Sequence, residues 1–483
     1  MHYQMKNRYD AIIIGAGVSG LVCANFLAKA GKKVLLIEKE KKPGGYCVSF
    51  SRKSFSFDVC RHFGGFEPGR IMYIICTQLG IYERLNLRRS NPSDIIIIGD
   101  KKIRIFSDIE RTKQGFIEAF AHESKNIDSF FDFLSDLNVF DIISRYKRYT
   151  FKDILDRFFE DDEVKNAFCS LLGNAGLGPS QLSAVKGLLL YNQFILDGGY
   201  YVPGGANVFA QSLLDALRER GSDALLGSEV KRITVDRNKA KGVVLENNEC
   251  ITSDCVISAC DATKTLLELV GRDNLNKDIA TRTGLMIPSM SVFVVFLGLK
   301  DFYSDVIEDK STIWYSPERF SKINNFDAIY KNIYMGNIDL DEGHVVIAPS
   351  SSTGSEGAGR QITTLALYVG VPFKDEHYWR QNRELICENI IKRAERLLPG
   401  LSDSISYKET ATPDTFYQYT YNRAAAMYGW ASMPDQISSD LIPAVTSIKG
   451  LFMCGHWITT GFGQGGIMSA AYTGMQLAEY ILN

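Results

Sequence analysis

DAIIIGAGVSGLVCANFLAKAGKKVLLIEKE, residues 10–40, carries a complete local motif. Ala11–Ile14 is an apolar run long enough for one buried strand, and Val34–Ile37 is a second that ends at Glu38. Between them Gly15, Gly17 and Gly20 stand in G-x-G-x-x-G spacing. Leu21–Ala30 then has helical periodicity, and Gly31 stops it. Strand, glycine turn, helix and strand make a βαβ unit. Gly15 permits the tight turn, Gly17 lets the backbone approach a pyrophosphate, and Gly20 lets the helix lie close on the strand. The helix N-terminus adds free N–H groups and a partial positive charge for the phosphates. Glu38, 18 residues beyond Gly20, is positioned to accept hydrogen bonds from a ribose diol. An ordinary glycine-rich turn would leave Glu38 unexplained, so the reading is a dinucleotide-binding unit.

The rest of the composition fits a globular protein. A chain of 483 residues has room for two to four domains or one large two-domain enzyme. The 45% hydrophobic and 23% charged content are globular values. A net charge of −2 gives no support for nucleic-acid binding. The ten cysteines are scattered. Cys250, Cys255 and Cys260 fall along two expected strands without the paired spacing of a metal site, so they read as apolar strand or core residues and no metal is expected. This usage points to a reduced, cytoplasmic setting. No segment reaches the ~18 uncharged apolar residues of a membrane span. Ala11–Ala28, with Lys6 and Arg8 before it, looks like a leader, but its glycine spacing and the second strand favour the βαβ unit.

Along the chain, Pro43, Gly44 and Gly45 form a turn suited to close passage beside the same dinucleotide. Phe55, Phe57 and Val59 alternate as a strand. His62 precedes Gly64–Gly65; a lone histidine is usually structural, and a nearby cofactor would change that. Arg70–Leu87 is expected to be one helix. Asp94–Phe106 reads as a hairpin about Gly99–Asp100. From Arg111 to Leu196 the pattern is helical, with Phe130, Phe131, Phe133 and Leu134 as core residues that could also line an apolar channel. The glycines of GNAGLG, residues 173–178, follow no strand and are not a second nucleotide fingerprint. Pro203, Gly204 and Gly205 lead into a helix over Asn207–Arg220, followed by a meander with turns at Arg237–Asn238 and Asn247–Asn248 and a buried strand, Cys255–Ala259. Ser291–Leu299 is a strand, Ser350–Gly359 a polar glycine-rich loop, and Glu376–Leu398 an amphipathic helix. Tyr417, Tyr419, Tyr421 and Tyr428 form either a rigid aromatic wall or a substrate surface with phenol hydroxyls. The end of the chain repeats the opening logic. Leu451–Cys454 is a strand, Gly455 marks its end, Gly461, Gly463, Gly465 and Gly466 form a loop, and Ile467–Ile481 is a helix. Its N-terminus could stabilise an anionic flavin ring.

The ordered set of DAIIIGAGVSGLVCANFLAKAGKKVLLIEKEKKPGGYCVSF, VPGGANVFAQSLLDAL, EVKRI with CVISACD, ATPDTFYQYT with MYGW, and GQGGIMSAAYTG resembles the bacterial-type phytoene desaturase, carotenoid isomerase and retinol saturase group of FAD-dependent oxidoreductases. The resemblance implies an α/β fold with a Rossmann-like FAD domain of ββα three-layer type. That domain would be assembled from residues 1–90, 200–285 and 430–483. A mixed-sheet substrate domain would come from 91–199 and 286–429, with 111–196 a helical subdomain. It implies that Gly15, Gly17 and Gly20 hold the FAD pyrophosphate and that Glu38 holds the adenosine ribose, with Lys39 also a cofactor-binding residue. Gly44 and Gly45 would pass beside the diphosphate, and Val230 beside the adenine. Gly455, Gly465, Gly466, Ile467 and Met468 would wrap the ribityl chain and ring. His456 stands where such flavoproteins often have Asp. The run His62-Phe63-Gly64-Gly65 leans toward the saturase branch.

The expected reaction is desaturation, saturation or isomerisation at carbon–carbon bonds of a hydrophobic, isoprenoid or polyene-like substrate. The substrate would lie in a channel between a strand-rich floor and the helical part. His62, or one of Tyr417, Tyr419 and Tyr421, would handle a proton. The unperturbed value of ~6.5 for histidine suits the task better than ~10 for tyrosine. No second fingerprint is present, so oxygen, a quinone or a partner reductase stays open as electron donor or acceptor. Two alternatives stand beside this reading: a flavin amine oxidase, and a non-enzymatic prenyl- or lipid-binding escort protein. Arg145, Lys147 and Arg148 beside Tyr146, Tyr149 and Phe151 read as a solvated face, with peripheral membrane contact as the second reading.

Overall fold

The computed structural model describes residues 8–60, 62–317, 323–338, 344–350, 362–437, 441–462 and 465–483. The polar loop beyond Ser350 and Gly463 lie outside them, as does Lys6.

A five-stranded parallel sheet runs in the order Leu451–Met453, Val256–Ser258, Ala11–Ile14, Val34–Glu38, Asp223–Leu226. The first strand is central. Ile13 sits opposite Leu36 on one side and Ile257 on the other. All four residues of this strand are buried, and alternate ones serve different layers. Ala11 and Ile13 pack with the helices Val18–Lys29, Ala206–Glu219 and Gly466–Leu482. Ile12 and Ile14 pack with the antiparallel meander Val230–Asp236, Lys239–Leu245 and Cys250–Thr252. Sheets with both faces covered require such continuously apolar strands. The first and last helices lie against each other so closely that a Cβ on Gly474 would stand 2.4 Å from the Ser19 carbonyl oxygen. Their N-termini consequently emerge at the same edge of the sheet.

A second, mixed sheet has seven strands in the order Ile405–Ala411, Ser291–Leu299, Thr364–Val371, Val345–Pro349, Thr312–Ser316, Asp94–Ile98, Lys101–Ile105. Thr312–Ser316 and Asp94–Ile98 pair in parallel; the other neighbours are antiparallel. Phe293, Val295 and Leu297 face the helix Glu376–Leu397. Val292, Val294 and Phe296 face the other way, toward the helical segments between Ile109 and Leu190. In that helical layer the Phe116 and Phe168 rings stack at 4.4 Å. Phe130, Phe131 and Leu134 are fully buried within it. They are core residues, and the cavity wall is built from other side chains.

The expected single helix over Arg70–Leu87 is two pieces. Ile71–Gln78 is α-helical and Glu83–Leu85 is a short 3₁₀ turn. Gly80, at φ +69°, ends the first. The Gly80 N–H donates to the Thr77 carbonyl at 3.0 Å, and the Ile81 N–H to Cys76 at 2.9 Å. That is a Schellman-type stop, which a glycine makes inexpensive. The ten cysteines are free thiols. Cys250 is exposed on its strand and Cys255 is half-buried, whereas Cys260 lies past the end of Val256–Ser258 and reaches the cavity. No described helix is long and apolar enough to cross a membrane.

Candidate cofactor and substrate site

A cavity of about 1350 Å³ opens at the C-terminal edge of the parallel sheet and continues to the inner face of the seven-stranded sheet. Pockets for drug-sized ligands are about 300–1,000 Å³, so this one has room for a large cofactor and a second molecule.

At its sheet end the backbone is arranged around two glycine turns. Gly15 has φ +99°, a left-handed conformation that favours glycine. A Cβ on Gly20 would lie 2.0 Å from the Gly15 carbonyl oxygen, so Gly20 secures the helix–strand approach and does not line the cavity. A Cβ on Gly17 would meet nothing within 4 Å, because that position faces open space. The Gly44–Gly45 turn crosses directly over it: the Gly44 N–H donates to Ala16 at 2.8 Å. At the far turn, Gly455, Gly465 and Gly466 have φ of +101°, +95° and +82°. Gly466, like Gly17, has open space where a Cβ would be.

Two helices start at these turns, Val18–Lys29 and Gly466–Leu482. Neither has a side-chain cap or an acid in its first turn. Their leading N–H groups are thereby left for an anionic or polar ligand. Glu38 ends its strand with one carboxylate oxygen accepting from Ala16 N–H at 2.7 Å and the other from Glu40 N–H at 2.9 Å. Burial nevertheless pushes its pKa up, with these two bonds opposing. Lys39, Val230, Ile467 and Met468 also line the cavity. Open glycine positions, uncapped helix N-termini and a carboxylate at the strand end fit the diphosphate and ribose of FAD.

The proposed proton-handling residues separate. His62 lines the cavity, its side chain only 7% exposed. Its ring stacks on Phe194 at 5.2 Å. Nε2 lies 3.8 Å from Asp94 Oδ2, and Nδ1 3.4 Å from Thr312 Oγ1. Asp94 is itself anchored by Trp314 Nε1 at 2.8 Å. A π-turn, Tyr191–Ile195, carries Phe194 over the imidazole; such turns are frequent at functional sites. The neighbouring Gly64–Gly65 turn packs under the last helix: a Cβ on Gly65 would stand 2.7 Å from Met468 Sδ. The glycine pair that follows His62 is therefore beside the second glycine turn.

The tyrosines are elsewhere. Tyr421 packs under Lys39 Nζ at 4.5 Å, and its hydroxyl reaches Glu229 at 3.4 Å, which puts it at the Glu38 end. Tyr419 borders the cavity but is 57% exposed. Tyr417 does not line it and packs against Phe373 at 6.0 Å. Tyr428 is the tyrosine that reaches the second glycine turn. A Cβ on Gly465 would stand 2.6 Å from the Tyr428 Cβ, and the hydroxyl donates to Gly173 at 2.8 Å. Local sequence marks all four alike, and only the fold sorts them. His456 also lines the cavity, with burial bringing its pKa down to about 4, so the ring is neutral near pH 7.

Beyond the glycine turns the lining is largely apolar, with Val292, Phe296 and Ala411 on the sheet side and Leu189, Phe194 and Ile329 on the helical side, interrupted by polar side chains such as Gln193, Asn332 and His344. Lys186 is an exception that sequence reading passed over. Its only signal was a single charge inside the apolar run AVKGLLL.

The model of flavin-containing amine oxidoreductases matches residues 18–482. The chain belongs to this family. It is an FAD-dependent oxidoreductase. Over 99% of its length the chain is 27% identical to the chloroplastic prolycopene isomerase of Daucus carota, covering 80% of that protein. It is 24% identical to the all-trans-retinol 13,14-reductase of Danio rerio over 92% of this chain and 82% of that one. An oxidoreductase from Methanosarcina mazei shares the fold, with a TM-score of 0.69 at 17% identity over 97% of this chain and 99% of that one.

Proposed function

We propose that this FAD enzyme desaturates, saturates or isomerises carbon–carbon bonds of a hydrophobic isoprenoid or polyene. The observation that carries the reading is the apolar continuation of the cavity from the two glycine turns to the seven-stranded sheet. The relatives act, by name, on prolycopene and on all-trans-retinol, which supports the same substrate class. When bound, FAD supplies hydride exchange. The chain's own residues bind, orient and handle the proton. Gly17 and Gly466 leave space for the cofactor, the helix N-termini hold its polar groups, and Glu38 holds the ribose. The walls at Val292, Phe296 and Phe194 exclude water and align the chain of the substrate. His62 holds or moves a proton at Nε2 or Nδ1, between Asp94 and Thr312. Residues 1–90, 200–285 and 430–483 are assigned to the FAD domain, and 91–199 with 286–429 to the substrate domain. In desaturation or saturation, electrons are exchanged with a donor or acceptor outside the chain; isomerisation exchanges none in net.

The proposal extends to peripheral contact with a membrane. Phe140, on Val139–Tyr146, is 85% exposed, and Val139 of the same helix lines the cavity. Exposed Arg145, Lys147 and Arg148 flank it. Neutralising these three and replacing Phe140→Ser should release the protein from anionic liposomes in co-sedimentation. Unchanged co-sedimentation would count against the contact.

The test of substrate class is incubation of the yellow holoenzyme with polyenes, anaerobically with an artificial electron donor or acceptor, and in air with an amine panel. Polyene product should appear, with hydrogen gained, lost or merely rearranged. Amine turnover with peroxide release, and inertness toward polyenes, would replace the reading by an amine oxidase.

A further inference from the structure

Ala184–Leu190 is an apolar helix with one charged side chain. Lys186 lines the cavity and donates from Nζ to the Gly465 carbonyl at 3.3 Å. Gly465 is the N-cap of the last helix, the one with no acid in its first turn. An ammonium here stands beside the positive end of a helix dipole, and the two repel. No carboxylate among the described residues lies within ion-pair distance of it. Burial brings its pKa down to about 8, so it still carries its charge at neutral pH. Three other cations on the lining have an answering charge: Lys39 has Glu40, Lys264 has Glu268 and Arg52 has Glu409. His456 is held neutral. A cation kept in such a place is costly until an anion arrives.

We propose that Lys186 contacts the cofactor and balances the negative charge that the ring gains on reduction. Two electrons and one proton added to bound FAD leave one net negative charge. The Lys186 ammonium and the helix N-terminus are its counterpart, and the lysine keeps its own proton. The inference rests on FAD binding alone and holds whatever the substrate is.

Sulfite is the probe, because its adduct with flavin is also anionic. In Lys186→Met sulfite affinity should fall about tenfold or more, and the midpoint potential should drop by about 30 mV for each tenfold, the two-electron conversion. Lys186→Arg should stay near the parent in both. A Lys186→Met protein with full flavin content, parental sulfite affinity and parental potential overturns the proposal. If that variant does not retain flavin, Lys186→Gln and Lys186→Arg are compared by the same sulfite titration. Loss in Gln with retention in Arg supports the role, and equal affinities overturn it. A polyene that fails to react leaves these readings unchanged, so failure of the substrate assignment is separately visible.

Discussion

Two kinds of glycine meet at the dinucleotide turn. At Gly20 a Cβ would collide with the Gly15 carbonyl oxygen at 2.0 Å, whereas at Gly17 it would meet nothing within 4 Å. The first glycine is required by the protein and the second by its ligand. Gly20→Ala should therefore lower the melting temperature of flavin-free protein, with overpacking costs of about 1–3 kcal/mol. Gly17→Val should cost the flavin-free fold no more than about 1 kcal/mol, the loss expected for a non-capping residue at this helix N-cap. The same variant should weaken FAD binding about a hundredfold, roughly 2.8 kcal/mol. Calorimetry of flavin-free protein and FAD titration separate the two effects; equal melting losses would refute the distinction. His456 gives a residue-scale pH prediction. Its pKa is brought from 6.5 to about 4 in the folded chain, so the folded state takes up the proton later than the unfolded one. The stability tied to the neutral ring is complete above pH 6.5 and is lost as pH falls toward 4. The shift corresponds to about 3 kcal/mol. Flavin-free His456→Gln should lack this loss. Urea denaturation should find its stability relative to the parent rising by that amount on acidification, and a pH-independent difference would contradict the assignment.

At the scale of elements, the first and last helices act as one unit. Each starts at an open glycine turn, and Gly474 permits their contact, since its Cβ would stand 2.4 Å from the Ser19 carbonyl oxygen. Gly474→Val should push the helices apart and lower melting temperature and flavin content together. Gly31, at φ +83° with no neighbour within 4 Å of a Cβ, is the control: Gly31→Ala should cost stability of about 1 kcal/mol but leave flavin content intact. Retained flavin in Gly474→Val would show that the two turns are positioned independently. These elements were legible because their signals are local. The βαβ glycines, the hairpin at Gly99–Asp100 and Ser291–Leu299 each carry their own period or turn chemistry. The stop at Gly80 was equally local and was outweighed by the apolar periodicity on either side. The pairing of Thr312–Ser316 with Asp94–Ile98 has no local signature, because it joins segments far apart in the chain. The same holds for the site. Glu38 follows its glycines at fixed spacing, whereas Lys186 reaches Gly465 only through the tertiary fold.

Across the whole molecule, function depends on one cavity that joins two differently built sheets. The parallel sheet offers N–H groups and glycine space, and the mixed sheet offers Val292, Phe296 and Ala411 as an apolar floor. A change on that floor should alter the substrate half without touching the cofactor half. Val292 is 6% exposed, on a strand whose opposite-facing residues are packed against Glu376–Leu397. A larger side chain there can extend only toward the helical layer and the cavity. Val292→Trp should thus keep parental flavin content and the parental flavin spectrum while shortening the usable channel. Its kcat/KM should fall most for the longest polyenes and least for short ones, by at least about tenfold between the extremes, since a single steric misfit of this kind is worth about 1–3 kcal/mol. Steady-state rates over a series of chain lengths measure this. A uniform loss at every length would mean that the long axis of the substrate does not run along this floor, and loss of flavin would mean that the two halves of the cavity are not separable.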